Sequence, residues 1–250
     1  MPRELIATAR EELAFRQFES APLEKGQIRV RTQYGAAKHG TEMALYKGYA
    51  SPRGAYDKEW RTFNNEGEGV RYPVRLGNMC VGQVVETGPA VTLLKEGDTV
   101  SHYGPLSEQH IWPETVRRMP TGLAWQQAVC LDPADFALGA VRDGHVRIGD
   151  AVAVFGLGAI GLMAIQCARL AGAHPVIALD PLANRRRAAQ ACGADLVLDP
   201  SQCDAGLEIK RETAKRGADV IIDYSGHHLA LQAALRGVAY NGTIVAGAWP

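Results

Sequence analysis

The chain has 250 residues, 46% of them hydrophobic and 22% charged, which suffices for a sizeable core in one large or two modest domains. Its 27 basic residues balance 27 acidic ones, so no global charge favours nucleic acid or an anionic membrane as a partner. The cysteines are scattered without a C-x-x-C pair, and no apolar run approaches the roughly 18 residues of a membrane span. We therefore expect a soluble, cytoplasmic protein with reduced thiols and no membrane or nucleic-acid partner.

Residues 1–125 are typical of a small β-rich domain. Apolar and polar residues alternate over Gln27–Thr32, Cys80–Glu86 and Asp98–Tyr103, and each run ends at turn-forming residues. This period of two predicts antiparallel strands with one buried face. Residues 49–68, rich in glycine, charge and aromatic side chains, form a long connection that either covers a substrate or is a simple insertion.

The sequence predicts a first domain over residues 1–125 and a second domain over residues 148–250, joined by residues 126–147. A helix is predicted over Trp125–Val146, which covers most of this linking segment. The second domain begins with the apolar strand Ala151–Phe155 and the turn G-L-G-A-I-G of residues 156–161. The first glycine permits a tight turn, the second lets the backbone approach a pyrophosphate, and the third allows close packing of helix on strand. We predict that the backbone of this turn binds a dinucleotide, with contacts from Gly156, Leu157, Gly158, Ala159, Ile160 and Gly161.

An aspartate follows the next apolar run at the spacing that a dinucleotide site requires. Asp180 ends the predicted strand Pro175–Asp180 and lies 19 residues after Gly161, close to the roughly 20 expected of an acid that binds a ribose hydroxyl. A 2′-phosphate would meet like charge there. The sequence therefore favours NAD over NADP as cofactor.

The remaining segments alternate between helix and strand. Predicted helices cover Asn184–Cys192, Leu207–Arg216 and Leu229–Tyr240, and predicted strands cover Asp195–Asp199, Asp219–Tyr224 and, after an Asn241-Gly242 turn, Thr243–Gly247. This alternation indicates an α/β fold with a doubly wound parallel sheet, in which Ser225 follows the fourth strand and faces the cofactor. Such sheets normally have six strands, so we expect the sheet to be incomplete at its C-terminus and the chain to be truncated.

The order of these parts resembles the medium-chain dehydrogenase/reductase superfamily, the zinc-type alcohol dehydrogenases and their relatives. The resemblance covers nearly the whole chain, through Gly149-Asp150, the glycine turn and Asp180. It implies a GroES-like first domain, a Rossmann second domain, a substrate between them and a homodimeric full-length form. It also implies that Arg185, five positions after Asp180, contacts the adenosine ribose, whereas Arg186 and Arg187 are expected on a solvated helix face.

The family's zinc ligands are mostly replaced in this chain. The resemblance implies a Cys-Gly-Ser/Thr-Asp motif, then Gly-His-Glu, then a Cys, Asp or Glu, but His39-Gly-Thr-Glu, Gly77-Asn-Met and Asp132 stand there. Zinc requires three ligands drawn from thiolate, imidazole and carboxylate, and Asn78 is a poor one. Cys80 could substitute only if its loop shifted, because its side chain alternates away from Asn78 on a strand. We therefore expect no metal, as in a zinc-less subgroup of the family that includes bacteriochlorophyllide-type dehydrogenases.

Without a metal, the oxygen of the substrate needs a hydrogen-bond donor and its proton needs a route. Thr41 matches the family's relay hydroxyl, His39 is a candidate acid or base, Asn78 could donate to the substrate, and Asp132 could orient the base. Three of these residues have a structural alternative: His39 as a histidine bonded to backbone, Asn78 as a turn residue, and Asp132 as a cap on a helix beginning at Pro133.

These residues predict an NAD-dependent alcohol/carbonyl oxidoreductase acting on a small alcohol or ketone without catalytic zinc. Two alternatives remain open: a zinc-dependent alcohol or polyol dehydrogenase with atypical ligands, and a non-catalytic nucleotide-binding fragment. An NADPH-dependent quinone or enoyl reductase is disfavoured by Asp180.

Overall fold

The computed structural model describes residues 1–49, 56–63 and 69–248. The chain divides into two compact units, Met1–Val129 and Cys130–Pro250. Most of the predicted connection over residues 49–68 lies outside the described residues. Among the described residues, no helix has both the length and the apolar character needed to cross a bilayer.

The first unit consists mainly of antiparallel β-structure. Its elements are β1 (Arg3–Ala9), β2 (Glu12–Gln17), β3 (Gln27–Ala36), α1 (His39–Tyr46), β4 (Tyr56–Asp57), β5 (Thr62–Phe63), β6 (Val74–Arg75), β7 (Met79–Thr87), β8 (Thr99–Tyr103), β9 (Gln109–Pro113), β10 (Arg117–Arg118) and α2 (Trp125–Ala128). A five-stranded sheet has the order β10-β8-β7-β3-β9, and a three-stranded sheet has the order β2-β1-β6. Strands β4 and β5 pair with each other.

Strand β3 shows how the sequence builds this unit. Ile28 and Val30 are fully buried, whereas the alternating Arg29 and Arg31 are not. The buried pair packs against Val84 of β7 and other apolar side chains of one core cluster. The half-buried antiparallel strand that this alternation predicted is therefore confirmed.

The second unit is a parallel sheet with helices on both faces. Its elements are α3 (Leu131–Asp143), β11 (Val152–Phe155), α4 (Ala159–Leu170), β12 (Val176–Leu179), α5 (Ala183–Ala191), β13 (Leu196–Leu198), α6 (Ala205–Glu212), β14 (Ala218–Asp223), α7 (His228–Gly237) and β15 (Val238–Ala246). The strand order is β13-β12-β11-β14-β15, and all neighbours are parallel. The order reverses between β11 and β14, which is where doubly wound sheets bind ligands.

The central strand β11 contributes to two cores. Val152 and Val154 pack into one cluster with α3 and α4, whereas Ala153 and Phe155 pack into another with Ile209 of α6. Every residue of β11 is buried. An uninterrupted apolar run is therefore explained by helical layers on both faces, and the predicted fold class is confirmed.

Several predicted element boundaries are wrong. The helix expected over Trp125–Val146 is two helices, because Pro133 has no N–H to bond the carbonyl of Val129, and α3 begins only at Leu131. The helix expected over Leu207–Arg216 is α6, which begins two residues earlier since the Asp204 carboxylate accepts the Leu207 N–H. Positive φ angles of 50° at Ala214 and 70° at Lys215 follow its end.

The third correction concerns the last helix and strand. Helix α7 ends at Gly237 and not at Tyr240, and β15 begins directly afterwards. Asn241 has a φ of 63° and lies inside β15, where the register with β14 shifts. The Asn-Gly pair thus forms a bulge within a strand, since asparagine and glycine both tolerate the left-handed conformation.

Candidate functional site

The glycine turn after β11 is held against the end of β14. Gly156 has a φ of 82°, and a Cβ atom built there would lie 2.5 Å from the Ser225 nitrogen. A Cβ atom on Gly161 would lie 2.0 Å from the Gly156 carbonyl oxygen. Both positions therefore exclude any side chain because the protein backbone itself fills the space.

Gly158 differs from these two glycines. A Cβ atom on Gly158 would have no protein atom within 4 Å, and its φ of −76° is open to any residue. Gly158 is also the N-cap of α4 and has no side chain to accept the first N–H groups of that helix, which include those of Ala159 and Ile160. The open space and the unpaired donors fit the pyrophosphate of a dinucleotide.

Asp180 links the strand β12 to the glycine turn. Its side chain is 2% exposed; Oδ2 accepts the Leu157 N–H at 2.9 Å, and Oδ1 accepts the Leu182 N–H at 2.8 Å. Each carboxylate oxygen has two lone pairs, so Oδ1 can still accept a hydrogen bond from a ribose hydroxyl. The structure thus places this carboxylate beside the turn, at the position expected for a ribose-binding acid.

Two arginines of α5 lie next to Asp180. The Arg185 Nη1 atom is 3.3 Å from Asp180 Oδ2. The Arg186 Nη1 atom donates to the Asp180 carbonyl at 2.7 Å and is 2.9 Å from Asp199 Oδ2, with only 20% of the side chain exposed. The interpretation of Arg186 as part of a solvated helix face is therefore wrong, while Arg187 is exposed.

Ser225 lies at the same end of the sheet. Its N–H and its hydroxyl both donate to Asp223 Oδ1, at 2.8 Å and 2.6 Å. The hydroxyl oxygen accepts the His227 N–H at 3.1 Å. Ser225 is exposed and fixed beside Gly156, so the structure brings it together with the glycine turn and Asp180.

In the first unit, the residues His39, Thr41 and Asn78 lie near the paired ends of β3 and β7. Ala36 pairs with Met79, and the Asn78 N–H donates to the Ala36 carbonyl at 3.0 Å. Helix α1 begins three residues later at His39, and both His39 and Thr41 are exposed. The backbone thus brings Asn78 close to the start of α1.

Glu42, the last residue of the His39-Gly-Thr-Glu stretch, was not predicted to have a role in the site. It lies in the first turn of α1, is 7% exposed, and its buried Oε2 atom has no hydrogen-bond partner. Burial raises the pKa of this carboxyl group, outweighing the opposing effect of the N–H groups of Lys38, Glu42 and Gly77. A glutamate in a first helical turn is ordinarily exposed, so only the burial distinguishes it.

Asp132 belongs to the second unit, where it is 3% exposed in the first turn of α3. The N-cap of that helix is Cys130. The alternative in which Asp132 caps a helix beginning at Pro133 is therefore wrong, because the helix begins at Leu131, before Asp132.

The residues do not fit a catalytic zinc ion. Within the described ranges, no three His, Cys, Asp or Glu side chains are grouped so that they could hold a metal. The Cys80 thiol lies in the core of the first unit, 3.2 Å from the Pro105 carbonyl oxygen, and burial raises its pKa to about 11. A protonated thiol in an apolar core does not replace the imidazole that Asn78 lacks.

Comparison with known proteins agrees with this architecture. Residues 24–137 match the family described as alcohol dehydrogenase GroES-like domain, and residues 159–250 match the family described as zinc-binding dehydrogenase. The chain is 46% identical over 253 residues to D-guloside 3-dehydrogenase of Escherichia coli (strain K12), covering 97% of this chain and 72% of that protein.

More distant matches have the same fold. The chain is 30% identical to (R,R)-butanediol dehydrogenase of Bacillus subtilis (strain 168) over 71% of its own length and 59% of the relative. A crystal structure of a zinc-binding dehydrogenase of Sinorhizobium meliloti 1021 bound to NADP superposes with a TM-score of 0.83 at 23% identity, covering 100% of this chain and 78% of that one. The chain belongs to the medium-chain dehydrogenase/reductase superfamily of oxidoreductases, among the relatives of the zinc-type alcohol dehydrogenases.

Proposed function

We propose that this protein is an NAD-dependent dehydrogenase that oxidises a secondary hydroxyl group of a glycoside to a ketone, without catalytic zinc. The observation that carries the proposal is the open cradle at Gly158 beside the buried Asp180 carboxylate. NAD, when bound, supplies the hydride acceptor.

The second unit would hold this cofactor. The N–H groups at the start of α4 face the pyrophosphate, and the remaining lone pair of Asp180 Oδ1 accepts from the adenosine ribose. Asp180 supports NAD over NADP because a 2′-phosphate would have to approach a carboxylate. Arg185 partly offsets that repulsion, but it is already 3.3 Å from the Asp180 carboxylate.

The first unit would handle the substrate oxygen and its proton. An amide N–H of Asn78 orients the hydroxyl group, while Thr41 and the exposed His39 pass its proton towards solvent. Hydrogen bonding and proton transfer by these side chains replace the polarising effect that zinc has in other members of the family.

The similarity to a D-guloside 3-dehydrogenase supports a glycoside as substrate. That identity extends along 97% of the chain and so includes both units. A sugar ring carries several secondary hydroxyl groups, and oxidation of one of them needs no more than the hydride acceptor and proton route described above.

The proposal is tested by incubating the purified protein with methyl glycosides and either NAD or NADP while following reduced cofactor by absorbance. We expect reduction of NAD with a guloside and formation of a keto-glycoside detectable by mass spectrometry. Activity with simple alcohols alone would contradict the substrate assignment.

Metal analysis tests the absence of catalytic zinc separately. We expect substoichiometric zinc in the active protein and no change in its activity after chelation. Stoichiometric zinc that is lost in His39→Ala, together with loss of activity on chelation, would contradict this part of the proposal and favour a zinc-dependent enzyme with atypical ligands.

A further inference from the structure

Asp180 belongs to a chain of four charged side chains, Asp180, Arg185, Arg186 and Asp199. Arg185 Nη1 lies 3.3 Å from Asp180 Oδ2. Arg186 Nη1 donates to the Asp180 carbonyl oxygen at 2.7 Å and lies 2.9 Å from Asp199 Oδ2. Both arginines thus contact the residue that would bind the ribose. Each of them also faces one carboxylate, so their charges are balanced.

Arg186 is held between the carboxyl ends of two neighbouring strands. Asp180 directly follows β12 and Asp199 directly follows β13, and these two strands pair in parallel. Both contacts of Arg186 use the same nitrogen, Nη1, which carries two hydrogens. Hydrogen bonds between a guanidinium group and a carboxylate are among the stronger ones in proteins. Asp199 therefore fixes the position of Arg186 as well as balancing its charge.

Asp199 is itself fixed by the turn that follows it. The Ser201 N–H donates to Asp199 Oδ1 at 3.0 Å, and the Ser201 hydroxyl donates to the same oxygen at 2.5 Å. These bonds, that of the hydroxyl above all, lower the pKa of the Asp199 carboxyl group, and Arg186 acts in the same direction. Asp199 is therefore ionised at neutral pH, with Oδ1 engaged by Ser201 and Oδ2 facing Arg186.

An arginine that is free beside the ribose favours NADP, because a guanidinium group binds a 2′-phosphate through strong, charged hydrogen bonds. We propose that Asp199 is a specificity-determining residue, which holds Arg186 at the Asp180 carbonyl and so withholds its charge from a 2′-phosphate. This inference rests on the proposed function, in which Asp180 binds the adenosine ribose. Discrimination against NADP then has two parts: Asp180 repels the 2′-phosphate, and Asp199 engages a cation that would attract it.

Three variants separate the charge of Asp199 from its structural role. Asp199→Asn keeps the shape and an acceptor for Ser201 but removes the charge that holds Arg186. Asp195→Asn is the matched control, because Asp195 directly precedes β13 at the other end of the same strand and pairs with Arg169 at 3.0 Å. Adding Arg186→Leu to Asp199→Asn tests whether an effect depends on the arginine.

The measurement is direct titration of each purified protein with NADH and NADPH, followed by nicotinamide fluorescence and independent of turnover. We expect Asp199→Asn to bind NADPH at least about fivefold more tightly than wild type and NADH within about twofold, as one released unit charge near the surface would give. Adenosine 5′-monophosphate and adenosine 2′,5′-bisphosphate, used as competitors of NADH, differ only in the 2′-phosphate and should reproduce this change.

The controls decide the interpretation of that gain. Asp195→Asn should keep the wild-type ratio of the two affinities, and the combination with Arg186→Leu should lose the gain. An unchanged ratio in Asp199→Asn, or a gain that persists without Arg186, would overturn the proposal, while a wild-type preference for NADH would leave the cofactor assignment intact. Tighter binding of NADPH by wild type would instead contradict the proposed function.

Discussion

The nucleotide half and the catalytic half of this protein are built in different ways. In the second unit, backbone positions and one carboxylate form the site, and both oxygens of Asp180 are hydrogen-bonded. In the first unit, the candidate site has the exposed side chains of His39 and Thr41 and, in the same helical turn, a buried carboxyl oxygen of Glu42 that has no hydrogen-bond partner. The candidate nucleotide site thus depends mainly on backbone geometry, whereas the candidate catalytic site depends on the environment of its side chains.

Acidification is expected to produce the largest difference between the two units, because it should lower the stability of the first unit. Burial lowers the pKa of His110 to about 4, so the unfolded chain binds a proton between about pH 6.5 and pH 4 while the folded chain does not. Stability therefore rises with pH through this window and is lost as pH falls, by up to about 3 kcal/mol.

Hydrogen exchange resolved by segment measures this loss. Strands β3 and β9 should lose protection before β11 and β14 as the pH is lowered. His110→Phe keeps the stacking on Trp112 and removes the buried Nε2 atom that has no partner, so it should abolish the difference. Equal loss of protection in the two units of wild type would contradict the assignment to His110.

A comparably large effect is expected within the nucleotide half itself. In Gly161→Ala the new Cβ atom would lie 2.0 Å from the Gly156 carbonyl oxygen, so the turn or the helix must shift. Strain of this kind costs about 2 kcal/mol. Urea denaturation should show that loss together with weaker NADH binding, and a variant of wild-type stability would show that the turn is not constrained as described.

Gly158→Ala should have a smaller effect on stability than Gly161→Ala. Its Cβ atom would have no protein neighbour within 4 Å, so stability should change by less than about 1 kcal/mol. The methyl group would occupy the space assigned to the pyrophosphate, and NADH affinity should fall at least about 10-fold, which corresponds to about 1.4 kcal/mol. Unchanged NADH affinity would show that the ligand does not approach this glycine.

Much of the nucleotide half was predictable from sequence because its requirements are local. Gly156 and Gly161 are demanded by close backbone approach, and Asp180 follows a buried strand at the required distance. These constraints act over short stretches of chain. Their residue types and spacing therefore identify them without a structure.

The catalytic half was less predictable because its properties arise from contacts distant in sequence. Glu42 was not among the predicted catalytic residues, and the pKa of its carboxyl group is raised because the fold buries it. The break between α2 and α3 does not follow from the apolar pattern, because it arises from Pro133, which has no N–H to bond the carbonyl four residues earlier. Arg186 was assigned to a solvated face because its partner Asp199 comes only after the next strand, β13.

Direct titration of the protein with NADH and NADPH tests the central claim that the glycine turn and Asp180 form an NAD site. We predict that NADH binds at least about 10-fold more tightly than NADPH, and that Asp180→Ser removes this preference by taking away the charge that opposes a 2′-phosphate. Tighter binding of NADPH to the wild-type protein, or the same preference in wild type and Asp180→Ser, would contradict the account.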